Sequence, residues 1–187
     1  RDPKLKITMS YGGDRMIKSL HEFHQQRWSI TTIPHIEMLL QRNNKALHEE
    51  MTIWNSYPVY YAIICGAKLK IVVWLVENTG KDFVRKLEFN HKWNLLHHVV
   101  YRNHPHLIPY LLDLLGTDLL KIETEDDNMF TPMEFAKDLS LKKRKKRCVE
   151  LLTNPEETVK KYQERVEDEI EYMIWDLHSK QGWDESD

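Results

Sequence analysis

The chain has 187 residues and a formal net charge of −2, with 41% hydrophobic and 30% charged residues. This composition is typical of an ordinary soluble protein and excludes a disordered chain, while the balanced charge argues against a surface built as a whole for nucleic acid. The longest apolar run, Ile71 to Val76, is far shorter than the ~18 to 20 residues that cross a bilayer, so no membrane span is expected.

The two cysteines, Cys65 and Cys148, are too few for a disulfide framework. They favour reduced thiols in a reducing compartment, and we therefore expect an intracellular, cytoplasmic protein. The sequence opens RDPKLKI, without Met or a signal segment. This opening predicts a fragment of a larger polypeptide.

The first predicted elements are a pair of helices within residues 1–51. SLHEFH at Ser19 to His24 is followed by IPHIEMLLQRN at Ile33 to Asn43, and both stretches have apolar residues at helical spacing. The pair begins 39 residues before Pro58. We interpret it as a degenerate copy of the repeat that follows.

Residues 52–154 contain three aligned stretches with a constant spacing of 37 residues, namely YPVYYAIICGA at Tyr57, NLLHHVVYRNH at Asn94 and TPMEFAKDLSL at Thr131. In each unit the apolar residues recur three and four apart in two bursts, which predicts two short amphipathic helices. The break between the bursts falls at Gly66, Asn103 and Ser140. Gly and Asn most readily adopt the left-handed conformation that ends a helix.

Pro58 and Pro132 stand where a first helical turn would begin, a position that does not need the missing amide hydrogen. Thr131 precedes Pro132 and is a predicted N-cap. Each unit is therefore expected to be a helix hairpin that starts at a defined residue.

TPMEFAKD at Thr131 and LLHHV at Leu95 resemble the T-P-L-H-x-A signature of ankyrin repeats. The resemblance covers Thr52 to Asn154 and implies an all-α, ankyrin-type solenoid of three clear repeats plus the degenerate N-terminal repeat. Ankyrin units have about 33 residues, so a unit of 37 implies roughly four additional residues, which we place in segments 78–89 and 115–126.

The sequence also departs from the ankyrin pattern. Asn55, Lys92 and Met129 stand where the family has Gly in the turn between repeats, so well-formed β-hairpin fingers are not expected. Lys137 occupies a position that is apolar in internal repeats, and this resembles a terminal, capping repeat.

The third predicted region, residues 155–187, contains an amphipathic helix of about 20 residues that starts at Pro155. Its apolar stripe includes Val159, Tyr162 and Val166. Two interpretations remain open: the helix covers the last repeat as a lid, or it pairs with another chain as a coiled coil and forms an oligomer.

Four of the ten histidines lie between His97 and His106. His97 occupies the His of the signature, and the resemblance implies that its side chain bonds the backbone of a neighbouring turn. No two of the four are spaced by four residues as in a helical zinc site. We therefore predict structural histidines, no metal and no cofactor; the alternative is a metal-dependent enzyme.

The run KKRKKR at Lys142 to Arg147 is the strongest charge feature. It would suit a nuclear import signal or a nucleic-acid surface. The alternative, which we prefer, is a solvated helix face whose charge is neutralised by the acidic helix that follows.

The resemblance implies that partners bind the concave face of the solenoid, at the turn tips and late in each first helix. The expected partner-binding residues are Trp54, Ser56, Ile64, Cys65, His91, Trp93, Tyr101, Arg102, Asn128, Phe130, Asp138 and Leu139. The set is rich in aromatic residues and Arg, which dominate interface energetics. The alternative for Trp54, Trp93 and Phe130 is that they pack one repeat against the next.

No Gly-rich phosphate loop or nucleophile motif is present in the sequence. We therefore predict a non-catalytic module for protein–protein interaction or scaffolding, whose partner is another protein or another part of the same polypeptide. The alternative is a regulatory or assembly domain of an ion channel or signalling enzyme.

Overall fold

The computed structural model describes residues 20–22, 25, 32–42, 45–48, 57–87, 92–125, 129–138 and 145–181. Within these ranges all regular secondary structure is helical and no residue lies in a β-strand. The predicted all-α class is confirmed.

The helices are short except for the last one. In chain order they are α1 (Thr32–Arg42), α2 (Pro58–Ile64), α3 (Leu69–Thr79), α4 (Lys81–Arg85), α5 (Leu95–Tyr101), α6 (Ile108–Leu115), α7 (Pro132–Lys137), α8 (Lys146–Thr153) and α9 (Pro155–Gln181), with 3-10 turns at Pro105–Leu107 and Thr117–Lys121.

Helices α2, α5 and α7 begin 37 residues apart, at the aligned residues of the three predicted units. Local chemistry accounts for these starts. Pro58 and Pro132 occupy the first turns of α2 and α7, while the side chains of Asn94 and Thr131 accept hydrogen bonds from backbone amides of α5 and α7. The predicted cap at Thr131 is confirmed, and such a cap stabilises a helix by about 1 kcal/mol.

The two helices of a hairpin are separated by a residue in the left-handed conformation. Gly66 follows α2 with φ +67°, and Asn103 follows α5 with φ +59°, as the sequence predicts. Lys92 and Met129 also have positive φ, at 55° and 47°. These are two of the positions at which the sequence lacks the glycine of the ankyrin pattern, so the backbone takes a left-handed conformation at both without a glycine.

In the first two units a short helical turn follows the second helix. Gly80, with φ +99°, leads into α4, and Gly116, with φ +86°, leads into the 3-10 turn Thr117–Lys121. Both turns lie within the segments where we placed the extra residues. Part of each of these two segments is therefore helical and lies outside the hairpin itself.

The first helices of the hairpins form one layer. α2 packs against α5, and α5 packs against α7, while each also contacts the second helix of its own hairpin. The fully buried side chains of Val59, Leu96 and Ala136 come from these three helices. One continuous core thus joins the units.

The N-terminal region packs on the first hairpin. α1 contacts α3, and Leu20 and Ile36 are both fully buried. The His48 ring lies 2.8 Å from the carbonyl oxygen of Thr79 at the end of α3. The described parts of residues 1–51 therefore contribute to the same core.

Helix α9 covers the second helices, since it packs against α6 and α8. Val159 and Val166 pack on the core, Tyr162 is buried, and the side-chain amide of Gln163 donates to Asp113 at 2.7 Å. The first half of the helix thus has the contacts of a lid. Side chains from Ile170 onward lie outside the described residues, so the coiled-coil alternative stays a prediction.

Candidate functional site

Seven of the twelve predicted partner-binding residues are described by the structure: Ile64, Cys65, Trp93, Tyr101, Arg102, Phe130 and Asp138. The other five lie outside the described residues: Trp54, Ser56, His91, Asn128 and Leu139.

The helix-end residues lie at equivalent places in successive hairpins. Ile64 and Tyr101 are the last residues of α2 and α5, and Cys65, Arg102 and Asp138 are the C-caps of α2, α5 and α7. Because these helices pack side by side, their carboxyl ends form one surface, which we call the first-helix face.

Trp93 belongs to an aromatic cluster between α5 and α7. Its ring centroid lies 4.9 Å from that of Phe135, 4.9 Å from that of His98 and 5.5 Å from that of Tyr101. Phe130 is 5.2 Å from Phe135 by the same measure. Trp93 and Phe130 are half-buried, and their contacts are those expected if they pack unit against unit.

Tyr101 is the member of this cluster that is open to solvent. It is 48% exposed, one of the most exposed large apolar side chains in the described ranges. Its ring nevertheless has fixed neighbours in Trp93 and in Lys145, whose Nζ lies 5.4 Å from the ring centroid. One side of the ring is therefore held by the protein while much of its surface remains accessible.

Lys145 is a buried cation beneath the cluster, and it is only 1% exposed. Its Nζ donates to the carbonyl oxygen of Phe135 at 3.3 Å, in the last turn of α7, where a cation is favoured by the helix dipole. Burial lowers the pKa of the Lys145 ammonium, and the nearby Asp138 partly opposes this shift.

The sequence analysis missed this role, because it treated Lys145 as part of the exposed basic run. The 37-residue spacing could have indicated that Lys145 is buried. Positions 71 and 108 hold Ile71 and Ile108, which are 4% and 0% exposed, and the next position in the series is Lys145. In the third unit, the Lys145 side chain therefore occupies a position that is apolar and buried in the first two units.

Tyr60 and His98 join α2 to α5 on the first-helix face. The Tyr60 hydroxyl lies 3.1 Å from His98 Nε2, and the two rings meet edge to face at 5.1 Å between centroids. Burial lowers the pKa of His98 to about 4 and raises the pKa of Tyr60 to about 12. Both side chains are therefore neutral at pH 7.

Arg102 is exposed at the end of α5. Its guanidinium is close enough to Tyr60, Cys65 and His98 for its charge to act on their ionisation. Among the described residues, no ion pair within 4.0 Å includes Arg102. The first-helix face thus presents a cation beside an accessible aromatic ring.

Three of the four clustered histidines, His97, His104 and His106, bond backbone oxygens of neighbouring units. His97 is fully buried; its Nδ1 accepts from the Asn94 amide at 3.1 Å, so its Nε2 donates to the Phe130 carbonyl oxygen at 3.0 Å. The predicted backbone bond of His97 is confirmed.

His104 and His106 make the same kind of contact with the first hairpin, at 3.0 Å to the Ile64 oxygen and 2.9 Å to the Ala67 oxygen. In the described ranges, no three His, Cys, Asp or Glu side chains are grouped so that they could hold a metal ion.

The basic run is only partly described, because Lys142 to Arg144 lie outside the described residues. Of the rest, Lys145 is buried, Lys146 is exposed, and Arg147 pairs with Glu150 of α8 at 2.9 Å. Helix α8 begins at Lys146, so the last two residues of the run, Lys146 and Arg147, lie in its first turn and Lys145 immediately precedes it.

A cleft of about 240 Å³ lies between α8 and α9. Its charges are largely matched by short-range pairs, Arg147 with Glu150 and Lys161 with Glu157, the second pair at 2.6 Å. The cleft therefore has little net potential to attract an anion.

None of the helices in the described part of the chain is long and apolar enough to cross a membrane. Comparison with protein-family models, with curated proteins and with solved structures found no match to this chain.

Proposed function

We propose that this chain is a non-catalytic protein-interaction module, an ankyrin-type solenoid of three repeats and a degenerate N-terminal repeat, whose first-helix face binds a partner. The partner is another protein or another segment of the same polypeptide. The observation that carries the proposal is the solvent-open Tyr101 at the edge of a preformed aromatic cluster.

The repeat architecture supports this proposal. The helix starts at Pro58, Leu95 and Pro132 and the left-handed residues Gly66 and Asn103 share one period of 37. Stacked hairpins of this kind present an extended surface, and proteins built from them use that surface to bind other proteins.

The distribution of apolar contacts also supports the choice of surface. α9 packs against α6 and α8, which covers the second helices of the last two hairpins. The first-helix face instead carries Tyr101, which is 48% exposed, and the exposed Arg102. Tyr and Arg are enriched among residues that contribute most to binding, and a ring held in place loses little entropy on association.

A capture experiment with two surface variants tests the proposal. Three chains would be immobilised separately: the wild type, Tyr101→Ala and Lys160→Ala. The proteins that each immobilised chain retains would then be identified by mass spectrometry. Lys160 is a suitable control because it is 76% exposed on α9. We expect a set of proteins that is retained by wild type and by Lys160→Ala but lost with Tyr101→Ala.

Thermal unfolding of the three chains must first establish that Tyr101→Ala remains folded. If its retained proteins match those of the wild type, the first-helix face does not bind the partner. Turnover of a small molecule by the purified chain would also contradict a non-catalytic module.

A further inference from the structure

We propose that the partner segment carries an acidic side chain next to an apolar one, with the carboxylate bound by Arg102 and the apolar group against Tyr101. This inference deepens the proposed function and rests on it. It specifies the chemistry of the segment that the first-helix face recognises.

The first step is the arrangement of charge on the face. Arg102 is the exposed C-cap of α5, and its backbone N–H donates to the His98 carbonyl oxygen at 2.9 Å. The charge of its side chain acts on Tyr60, Cys65 and His98. The side chains of Tyr60 and His98 are neutral at pH 7. Burial raises the pKa of the Cys65 thiol, so the thiol is also protonated and neutral. Of these four residues, Arg102 alone has a formal charge at pH 7.

The second step concerns the acidic side chains nearby. Glu134 is engaged locally, since Oε2 accepts hydrogen bonds from the backbone amide and the hydroxyl of Thr131 at 2.7 and 2.8 Å. Asp138 is half-buried and its charge acts on Lys145. Glu134 and Asp138 therefore interact with groups other than Arg102. No described carboxylate forms an ion pair with Arg102.

The third step is the chemistry of a guanidinium. Arg presents a rigid fork of donors that matches both oxygens of a carboxylate, and such bidentate bonds are about twice as strong as neutral ones. An aliphatic or aromatic group adjoining that carboxylate would cover the accessible part of the Tyr101 ring. The part of the face around Arg102 is therefore complementary in charge to an acidic side chain and repels a basic one.

The test is a selection from a phage-displayed library of random peptides, read by sequencing. Four baits are compared: the wild-type chain, Arg102→Glu, Tyr101→Ala and Lys160→Glu. Lys160→Glu is the matched control, since it makes the same change of charge at an exposed position of α9. Arg102→Gln serves as a second variant if Arg102→Glu lowers the unfolding temperature.

We expect wild type and Lys160→Glu to enrich peptides in which Asp or Glu adjoins an apolar residue. Arg102→Glu should lose these peptides and enrich basic ones. A synthetic peptide of the enriched sequence should bind Arg102→Glu at least about tenfold more weakly than wild type, and its binding to wild type should weaken as salt is added.

The outcomes separate the two proposals. Peptides that depend on Tyr101 but are retained by Arg102→Glu, or that contain no acidic residue, would overturn the acidic partner and leave the interaction surface standing. Peptides that bind all four baits equally, or no enrichment on any bait, would overturn both.

Discussion

Replacement of Gly66 by Ala should destabilise the hairpin interface for two separable reasons. Gly66 has φ +67°, and an L residue in the left-handed conformation costs roughly 1 to 2 kcal/mol. A Cβ built at Gly66 would also lie 2.5 Å from Cε1 and Nδ1 of the His104 ring. That ring must then move.

Movement of the ring has its own cost, because His104 Nε2 is 3.0 Å from the Ile64 carbonyl oxygen. Loss of one such hydrogen bond costs about 1 kcal/mol. Together the two effects predict that Gly66→Ala lowers the free energy of unfolding by about 2 to 3 kcal/mol.

A double-mutant cycle with His104→Ala separates the two contributions. In the His104→Ala background the steric conflict is absent, so Gly66→Ala should cost only the backbone strain, roughly 1 to 2 kcal/mol. Urea-induced unfolding followed by circular dichroism measures all four chains. An equal cost of Gly66→Ala in both backgrounds would refute the idea that the ring and residue 66 are coupled.

Three further predictions concern the cluster around α5 and α7. Burial lowers the pKa of His98 to about 4 from its usual 6.5, so below pH 6.5 the unfolded chain binds more protons than the folded chain. The free energy of unfolding should therefore fall by on the order of 3 kcal/mol between pH 6.5 and pH 4, as measured by urea unfolding at several pH values. A decline of the same size in His98→Gln would show that another group is responsible. Lys145→Ala should lower the free energy of unfolding by about 2 to 4 kcal/mol because it leaves a cavity, whereas Lys145→Met, which keeps the volume and removes a buried charge, should lower it by less than about 1.5 kcal/mol. Calorimetry compares the two variants, and an equally large loss in both would mean that the ammonium bond to the Phe135 carbonyl oxygen dominates. Trp93→Ala should lower the free energy of unfolding by about 2 to 3 kcal/mol, measured in the same way, since the ring is half-buried. An unchanged melting temperature would show that the ring does not pack one unit against the next.

Local chemistry made the helix boundaries predictable from the sequence. Pro58 and Pro132 fit the first turn of a helix, Thr131 is a good cap, and Gly66 and Asn103 tolerate positive φ. Each of these preferences acts within a few residues of the chain. The 37-residue period placed all of them in register, so three hairpins could be located together.

The sequence could also place Ile64 and Cys65 on one surface with Tyr101 and Arg102, because residues at the same place in successive repeats come together when the repeats stack. It could not decide how exposed each would be. Trp93 and Tyr101 are both aromatic and both lie in predicted binding positions, yet Trp93 is half-buried among rings while Tyr101 is 48% exposed.

Lys145 shows what the sequence determined and what only the tertiary structure decided. The sequence determined the helices and their order, because periodicity, proline and caps act through neighbouring residues. Only the tertiary structure decided that one lysine of a basic run is buried over Tyr101 and against the Phe135 carbonyl oxygen. Burial and pairing depend on side chains that are distant in the sequence and meet only when the hairpins pack.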